Sequence, residues 1–382
     1  MKKIVIAPDS FKESLSAKEV ADIIAKAFSC VFPNIETVSI PLADGGEGTA
    51  EALKDALGGY WQEVEVKDPL HRPHKAKYAY IPEKHLAIIE MAEASGLPLV
   101  PPQERNPLIA DSFGTGQMIT HALDMGAKEF IIGIGGSATN DGGSGMMRAL
   151  GLELLDNQEK PLAYGGAALK ELEAICFDKL EPRLNDCVFH IACDVNNPLV
   201  GKHGASAVFG PQKGATPQMV KELDDALSHY AQIIQKQTQK DISSIAGAGA
   251  AGGMGGAFCA FFPKAKLQPG IDIVIDAVAL NDHVKDADLV ITGEGRMDFQ
   301  TQFGKTPMGA QKAAATCDTP IIAIAGSLGD GHEKLLELGF TALFDVTPGP
   351  CDITEALQRA DKNLFNTSLS VAHLFKHIGE QK

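Results

Sequence analysis

The sequence is short of positive charge. Its 382 residues include 34 lysines and arginines against 49 aspartates and glutamates, a formal net charge of −15. A surface that binds nucleic acid needs a basic face, so this balance argues against a nucleic-acid partner. It also means that an anionic ligand needs local lysines, backbone N–H groups or a metal ion, because the overall field repels it.

Paired cysteines and long apolar runs are also missing. The seven cysteines form no C-x-x-C pair, and several lie in apolar stretches such as 187–195 and 256–262. We interpret them as reduced core residues of a reducing compartment. The N-terminal apolar run has only four residues before Pro8, too few for a signal peptide, and no run reaches membrane-spanning length. These absences predict a cytoplasmic protein without a membrane partner.

Two common nucleotide-binding motifs are absent. The first apolar run continues as "IVIAPDSFKES", which has no glycine where G-x-G-x-x-G would open a dinucleotide site. Gly304, Lys305 and Thr306 match the second half of a P-loop, but Phe299 stands where its first glycine belongs. A P-loop enzyme and an ordinary dinucleotide-binding dehydrogenase are therefore disfavoured.

Glycine, in contrast, is abundant and clustered. The 39 glycines exceed the number expected at a typical frequency, about 27. Residues 129–147, "EFIIGIGGSATNDGGSGMM", pass from a predicted buried strand into glycines and small polar residues. Such a loop lets backbone N–H groups approach phosphate oxygens, although a tight structural turn has the same composition. A second glycine-rich segment, 247–256, has no serine or charge and is predicted to be a packed turn.

Short apolar runs alternate with helical patterns at both ends of the chain. This alternation predicts a parallel sheet covered by helices. Ser16 and Glu19 form a capping box, and Thr306 is predicted to cap a helix with Pro307 in its first turn. The predicted strands are 3–7, 37–43, 287–293, 320–326 and 341–346.

The middle of the chain has a different pattern. Residues from 61 to about 92 indicate consecutive strands of a meander, and helices and strands mix further on. The economical interpretation is one α/β domain that is split by the insertion of a mixed domain.

Acids, glycines and cations follow the predicted strands. Parallel sheets bind ligands outside the carboxyl ends of their strands, so these residues are expected at one rim. Phosphoryl transfer needs three kinds of group: carboxylates that hold Mg²⁺, cations that neutralise charge, and glycines that let the backbone approach phosphate oxygens. A single aspartate after a strand is more often a turn or helix cap. Only the occurrence of acids, glycines and cations after several strands of one sheet indicates chemistry. The binding candidates are Asp9, Ser10, Asp44, Gly45, Gly46, Glu47, Gly135, Gly136, Ser137, Thr139, Asn140, Asn196, Lys213, Glu294 and Lys305.

Eight motifs occur in one order along nearly the whole chain. They are "IAPDSFKESLSA", "PLADGGEGT", "SFGTGQ", "IGIGGSATNDGG", "CDVNNPLVG", "FGPQKGA", "GAGAAGGMGG" and "VITGEGRMDFQT" with "GKTP". Together they closely resemble the bacterial glycerate kinases of the first type. One departure is Glu13, where many members have glycine and others also carry glutamate.

The resemblance implies an α/β fold of two domains with the active site in the cleft between them. A Rossmann- or flavodoxin-like domain, residues 1–62 and 284–382, would be split by an inserted mixed α/β domain, residues 63–283. The implied reaction is ATP-dependent phosphorylation of D-glycerate in the cytoplasm, by a monomer or homodimer. The expected product is 2-phosphoglycerate in preference to 3-phosphoglycerate, in the breakdown of glucarate, galactarate or glyoxylate. The alternatives are a phosphatase or another sugar-acid or nucleotide enzyme on a similar fold, and a two-lobed protein that binds a small acid.

For such a kinase, the positions of the rim residues after the predicted strands suggest their roles. Lys12 is placed on the glycerate carboxylate or a transferring phosphate, with a solvated lysine at a helix entry as the alternative. Asp44 and Glu47 are candidates for binding Mg²⁺ or for orienting the acceptor hydroxyl, with helix capping as the alternative, and Asp298 is the other candidate for the base. Asp194 is a further candidate Mg²⁺ ligand, since Mg²⁺ takes few carboxylates and several waters. The four candidates for catalysis are Lys12, Asp194, Arg296 and Asp298.

The loop 133–145 is expected to cradle the triphosphate or the glycerate carboxylate. Side-chain hydrogen bonds would come from Ser137, Thr139 and Asn140, and Lys213 would reach the nucleotide phosphates. A structural turn between strand and helix is the alternative. Four histidines show no metal-ligand pattern and are interpreted as surface or core residues: His71, His74, His190 and His203.

Overall fold

In the computed structural model, which describes residues 1–380, the chain divides into two units. Unit 1 comprises Met1–Gly58 and the residues from Ile271 onward, and unit 2 comprises Gly59–Gly270. These limits differ from the predicted boundaries at 62 and 284. The strand that begins at Tyr60 pairs along its whole length inside unit 2. Ile271 packs in unit 1 against Gly309, where an added Cβ would lie 2.2 Å from the isoleucine side chain.

The described residues contain thirteen strands and fourteen α-helices, with six short 3₁₀ helices between them. The strands β1 to β13 are Lys3–Ile6, Glu36–Ser39, Tyr60–Lys67, Pro73–Ile81, Leu86–Glu90, Glu129–Gly133, Glu153–Leu155, Ala174–Cys176, Val188–Ala192, Ala265–Gln268, Leu289–Thr292, Ile321–Ala325 and Ala342–Asp345. The helices α1 to α14 are Ala17–Val31, Thr49–Leu57, Ala92–Ser95, Phe113–Asp124, Ser144–Ala149, Ala205–Phe209, Pro217–Thr238, Ala250–Phe261, Gly270–Ala277, Leu280–Val284, Thr306–Ala315, Lys334–Glu337, Ile353–Gln358 and Ala360–Glu380.

Unit 1 is built on a sheet of five parallel strands in the order β13-β12-β11-β1-β2. Counted within the unit, the order is 2-1-3-4-5, which is that of flavodoxin-like folds. The parallel α/β fold predicted for the two ends of the chain is therefore confirmed. Strands β1, β11 and β12 are apolar because helices cover both faces of such a sheet.

The helices of unit 1 start largely where local signals predict. Ser16 and Glu19 form the expected capping box of α1, whose apolar face is buried against the sheet and α14. Helix α2 ends at Gly58, which has a left-handed φ of 72°. The predicted cap of α11 is wrong: Lys305 is the cap, and Thr306 is the first helical residue. The hydroxyl of Thr306 is directed instead to Asp9.

Unit 2 is built on a mixed sheet of six strands in the order β10-β9-β6-β5-β4-β3. Strands β3, β4 and β5 form the predicted antiparallel meander, and β5, β6, β9 and β10 are parallel. The carboxyl ends of β5, β6 and β9 therefore share one edge. The turn 68–72 lies at this edge too, because β4 runs opposite to β5.

The glycine-rich segment 247–256 is packed, as predicted, but most of it belongs to α8 rather than to a turn. The helix is interrupted at residues 251–253, which have left-handed backbone angles. The carbonyl of Gly252 accepts a hydrogen bond from Gly142 N at 2.9 Å. A Cβ on Gly252 would lie 2.0 Å from the carbonyl oxygen of Thr139. The backbone of this segment therefore packs directly against the backbone of the residues that follow β6.

The seven cysteines are free thiols, but they are not all core residues. Cys187 is buried, whereas Cys30 and Cys351 are exposed, so the interpretation as core is wrong for these two. No helix within residues 1–380 combines the length and apolar character that a membrane span requires.

Candidate active site

Asp9 and Glu294 lie where the strand order of unit 1 reverses. Asp9 follows β1 and Glu294 follows β11, and these strands are neighbours in the sheet. At such a switch point the connections leave in opposite directions, which opens the crevice where α/β sheets bind ligands. Asp44 follows β2, the neighbour of β1 on its other side. The structure therefore brings three predicted acids to one edge of unit 1.

The carboxylate of Asp9 is held by two short hydrogen bonds. Thr306 Oγ1 donates to Oδ2 at 2.6 Å, and the Ser10 N–H donates to Oδ1 at 2.6 Å. Burial raises the pKa of Asp9, and the negative charge of Asp44 raises it further, while the hydrogen bonds act in the opposite direction. Asp9 is thus a fixed carboxylate whose affinity for a proton is increased, as a general base requires.

Glu294 is buried and is paired with the cation predicted for this rim. Thr301 Oγ1 donates to one carboxylate oxygen at 2.7 Å, and Lys305 Nζ lies 3.2 Å from the other. Burial raises the pKa of Glu294 more than Lys305 lowers it. Lys305 remains one-third exposed, so its ammonium group is accessible to an anionic ligand.

Arg296 and Asp298 form a local pair on the loop after β11. Arg296 Nε lies 3.2 Å from Asp298 Oδ2, and the Gln300 N–H donates to the other oxygen at 2.9 Å. The arginine is exposed, whereas the aspartate is largely buried by its own turn. Lys12 and Glu47 are exposed on the loops after β1 and β2.

Asp44 also organises the backbone of its own loop. The Gly46 N–H donates to Asp44 Oδ1 at 3.1 Å, and Gly45 has a left-handed φ of 92°. The predicted glycines after β2 therefore serve a turn that presents the aspartate.

In unit 2, the loop after β6 exposes backbone rather than side chains. Gly135 and Gly136 are exposed, and nothing lies within 4 Å of the place where a Cβ of Gly135 would stand. Ser137, Thr139 and Asn140, which the sequence predicts as ligand-binding side chains, are buried. The exposed part of this loop therefore presents backbone groups, and the three polar side chains predicted to bind a ligand are not exposed there.

Lys213 supports this loop from inside the protein. Its side chain is buried, and Nζ donates to Ser137 Oγ and to the carbonyl oxygen of Thr139, each at 2.6 Å. Burial lowers the pKa of Lys213 to about 7. The sequence predicts that Lys213 contacts phosphate, but in the structure its side chain is buried against Ser137 and Thr139.

A polar network beside the loop escapes sequence reasoning. Asp141 is buried and accepts hydrogen bonds from Ser112 Oγ at 2.7 Å and from the Gly145 N–H at 3.0 Å. The adjacent Asp111 is also buried and contacts Nε2 of His71 at 2.7 Å. His71 belongs to the turn 68–72, at the edge where β5 and β6 end. The only sequence signal is the pair Asp111-Ser112 directly before helix α4.

Asp194 and Asn196 follow β9 at the same edge of unit 2. Both are exposed, and Asp194 Oδ1 accepts a hydrogen bond from the Gly270 N–H at 3.0 Å, at the start of α9. Within residues 1–380 no group of three or more histidine, cysteine or acidic side chains could hold a metal ion by itself. Mg²⁺ does not need such a cage, because it binds through one or two carboxylates, waters and substrate phosphates.

The predicted site residues thus fall into two groups. The residues around Asp9 and Glu294 belong to unit 1, and those around Gly135 and Asp194 belong to unit 2. That both groups line one cleft stays a prediction.

A model of the glycerate kinase family matches residues 4–376. The chain belongs to the glycerate kinase family. It is 51% identical over 372 residues to a glycerate kinase of Haemophilus influenzae, covering 97% of this chain and 98% of that protein. It is 49% identical over 370 residues to a protein of Escherichia coli K12 named glycerate 2-kinase, covering 97% of each.

The family assignment extends to the fold. A crystal structure described as a glycerate kinase 2 of Salmonella typhimurium LT2 superimposes with a TM-score of 0.92 and 50% sequence identity, covering 100% of both chains. The resemblance inferred from the motifs is therefore confirmed along nearly the whole chain.

Proposed function

We propose that this protein transfers the γ-phosphoryl group of ATP to the 2-hydroxyl of D-glycerate, giving 2-phosphoglycerate and ADP. The family supplies the reaction class, and a relative named glycerate 2-kinase at 49% identity supports the 2-hydroxyl. The structural observation that carries the proposal is the pair of buried acids, Asp9 and Glu294, beside Lys305 at the switch point of unit 1. A cytoplasmic location and a place in glucarate, galactarate or glyoxylate breakdown are part of the same proposal.

Phosphoryl transfer asks the protein for positioning and charge stabilisation more than for covalent chemistry. Asp9 is placed to orient the acceptor hydroxyl and take its proton, because its carboxylate is fixed by Thr306 and its pKa is raised. Lys305 and Lys12 would neutralise the charge that develops on the transferred group. Exposed backbone N–H groups at Gly135 and Gly136 suit an anionic part of a substrate. Asp194, Arg296 and Asp298 remain proposed participants.

The acids of unit 1 also suit a magnesium ion. The charge of Asp44 acts on Asp9, so two carboxylates of neighbouring loops are close enough to interact. Mg²⁺ is commonly held by one or two carboxylates beside substrate phosphates. Asp44 would hold the ion, which leaves the Asp9 carboxylate for the acceptor hydroxyl, and Asp194 of unit 2 stays a second candidate. When bound, Mg²⁺ neutralises negative charge on the phosphates.

The proposal is tested by following product formation with the purified full-length chain. ADP release that depends on both glycerate and ATP, with ³¹P NMR showing the phosphate on the 2-oxygen, is the expected result. Phosphorylation at the 3-oxygen contradicts the regiochemistry alone. Release of inorganic phosphate from phosphoglycerate, turnover of NAD(H), or glycerate binding without ADP formation would each replace the kinase by one of the alternatives.

A further inference from the structure

A pocket of about 310 Å³ opens in unit 1 at the edge that carries Asp9 and Glu294. Its lining includes residues that follow four of the five strands of the sheet: Lys12, Gly295, Ser327 and Thr347. The volume lies at the lower end of the range for small-molecule sites, about 300–1,000 Å³. Gly295 directly follows Glu294, so the pocket continues the switch-point crevice along the sheet.

Apolar side chains form most of the pocket wall. Phe11, Val346 and Leu357 contribute surfaces on which a flat ring can lie. Ile353 borders the pocket and is 72% exposed, so an occupant would cover it. The loops after β11 and β12 approach closely here, since a Cβ on Gly326 would lie 2.4 Å from the carbonyl oxygen of Gly295. The glycines therefore keep the strand ends of the pocket free of side chains.

Asn363 of α14 is the one buried amide in this lining. It is only 9% exposed. Its backbone N–H donates to Arg359 O, but within residues 1–380 its side-chain amide makes no hydrogen bond. Because Asn363 lines the pocket, its amide offers an occupant both N–H donors and a carbonyl acceptor. The amide thus indicates a ligand that both accepts and donates.

We propose that this pocket holds the adenine base of the nucleotide, with the amide of Asn363 bonded to the base edge. The proposal rests on the kinase function above. Adenine presents an acceptor, N7, next to a donor, N6, which matches the donor and acceptor of an asparagine amide. Guanine presents two acceptors on that edge and suits Arg or Lys instead. The pocket therefore selects ATP over GTP.

The position of the pocket also orients the rest of the nucleotide. Lys12 lines the pocket and lies on the loop that begins with Asp9, and Gly295 leads directly to Glu294 and its partner Lys305. A base in the pocket places the phosphate chain beside these two lysines. This is the direction that transfer to a hydroxyl at Asp9 requires.

The first test uses Cys351 as a reporter of occupancy. Cys351 is exposed and lines the pocket, whereas Cys30 is exposed on α1 and does not. The native chain is alkylated with N-ethylmaleimide, and labelling of each peptide is followed by mass spectrometry. Saturating ADP is expected to slow labelling of Cys351 at least about 5-fold and to leave Cys30 unchanged, while tripolyphosphate, which has no base, gives no such protection. Equal labelling of Cys351 with and without ADP overturns the proposal.

The second test asks whether the side-chain amide of Asn363 hydrogen-bonds to the adenine base. Asn363→Ala is expected to raise the KM for ATP by about 10-fold or more, from the 1–3 kcal/mol of a bidentate base contact. The KM for glycerate should stay within 2-fold, and the preference for ATP over GTP in kcat/KM should fall by about 10-fold. Asn366→Ala, on the exposed face of the same helix, is the matched control and should behave as wild type. An unchanged ATP-to-GTP ratio in a folded Asn363→Ala protein overturns the assignment.

The two failures can be told apart. If the chain phosphorylates glycerate but ADP does not protect Cys351, the pocket assignment is wrong and the kinase stands. If no phosphoglycerate forms, the kinase proposal fails, and the alkylation experiment still decides whether adenine nucleotides occupy the pocket.

Discussion

Lys213 Nζ lies 2.6 Å from Ser137 Oγ in the interior of unit 2. Lys213 is only 1% exposed, and its second acceptor is the carbonyl oxygen of Thr139. A buried ammonium group is costly unless it is compensated, which is why the pKa of Lys213 falls to about 7. The glycine loop after β6 is thus fixed through a group whose protonation changes near neutral pH.

This pKa predicts a pH dependence of stability. The pKa of Lys213 is about 7 in the folded protein against 10.5 for a free lysine, so between these values the unfolded chain binds more protons. Raising the pH from about 7 to 10 therefore favours the folded state. Lys213→Met removes this contribution, and wild type should gain about 2 kcal/mol or more relative to the variant over this range.

Urea unfolding of both proteins at several pH values measures the difference. Lys221→Met, an exposed lysine on α7, is the control and should keep the wild-type dependence. Parallel stability profiles for wild type and Lys213→Met would show that Lys213 stays protonated in the folded protein throughout the range, and would contradict the lowered pKa.

The example of Lys213 shows what the sequence can and cannot predict. Strands and caps depend on local patterns, so the parallel strands of unit 1 and the capping box at Ser16 and Glu19 are predicted correctly. Whether a lysine is exposed depends on what packs over it, and the residues that cover Lys213 come from distant segments. From sequence alone, a lysine in a glycine-rich motif is therefore predicted to bind phosphate, even where, like Lys213, it is buried and holds a neighbouring loop.

The same limit applies to the site in unit 1. Acids after strands can be predicted, because sheet topology places strand ends together. The contact between Thr306 and Asp9 spans 297 positions of sequence, and a threonine before proline looks like an ordinary helix cap. Asn363 gives no signal at all, since one asparagine in a long amphipathic helix is usually a surface residue.

We predict that Asp9 lowers the stability of the folded protein at neutral pH but is needed for activity. Its folded pKa is raised, so its contribution to stability is present below pH 3.8 and is lost as the pH rises through the folded value. At neutral pH the ionised carboxylate is therefore destabilising, and Asp9→Asn removes that cost. We expect kcat to fall by about 100-fold or more, from the loss of a general base, while the free energy of unfolding at pH 7 does not decrease.

Steady-state kinetics and chemical unfolding of the same preparation measure both effects. Asp22→Asn, on the exposed face of α1, is the control and should retain full activity. An Asp9→Asn enzyme with near wild-type kcat would remove Asp9 from the mechanism and favour Asp298 as the base.

Glu13 is predicted to be a site where glycine stabilises the protein. Its φ is 64°, in the left-handed region that costs a residue with a side chain about 1–2 kcal/mol. This explains why a member of the family can carry glycine at this position. Glu13→Gly should raise the free energy of unfolding by about 0.5–1 kcal/mol. This gain is smaller than the backbone strain that is relieved, because glycine loses more entropy on folding. Glu13→Ala keeps the backbone penalty and should not stabilise, so equal stabilisation by both changes would point to the charge of Glu13 instead.

Two glycine substitutions distinguish support from contact in the loop after β6. A Cβ on Gly252 would lie 2.0 Å from the carbonyl oxygen of Thr139, and its φ of 67° disfavours any side chain. Gly252→Ala should therefore lower the free energy of unfolding by more than about 3 kcal/mol, because the backbone of both segments must move. Differential scanning calorimetry or urea unfolding measures this loss.

Gly135→Ala is the matched change at the exposed end of the same loop. Nothing lies within 4 Å of the added methyl group, so stability should stay within about 0.5 kcal/mol of wild type. If the backbone at Gly135 contacts a substrate, the methyl group stands in the way and the KM for ATP or glycerate should rise at least about 5-fold. Unchanged kinetics of a stable Gly135→Ala protein would mean that the exposed backbone of this loop touches neither substrate, and that the contacts lie with the acids and lysines of unit 1.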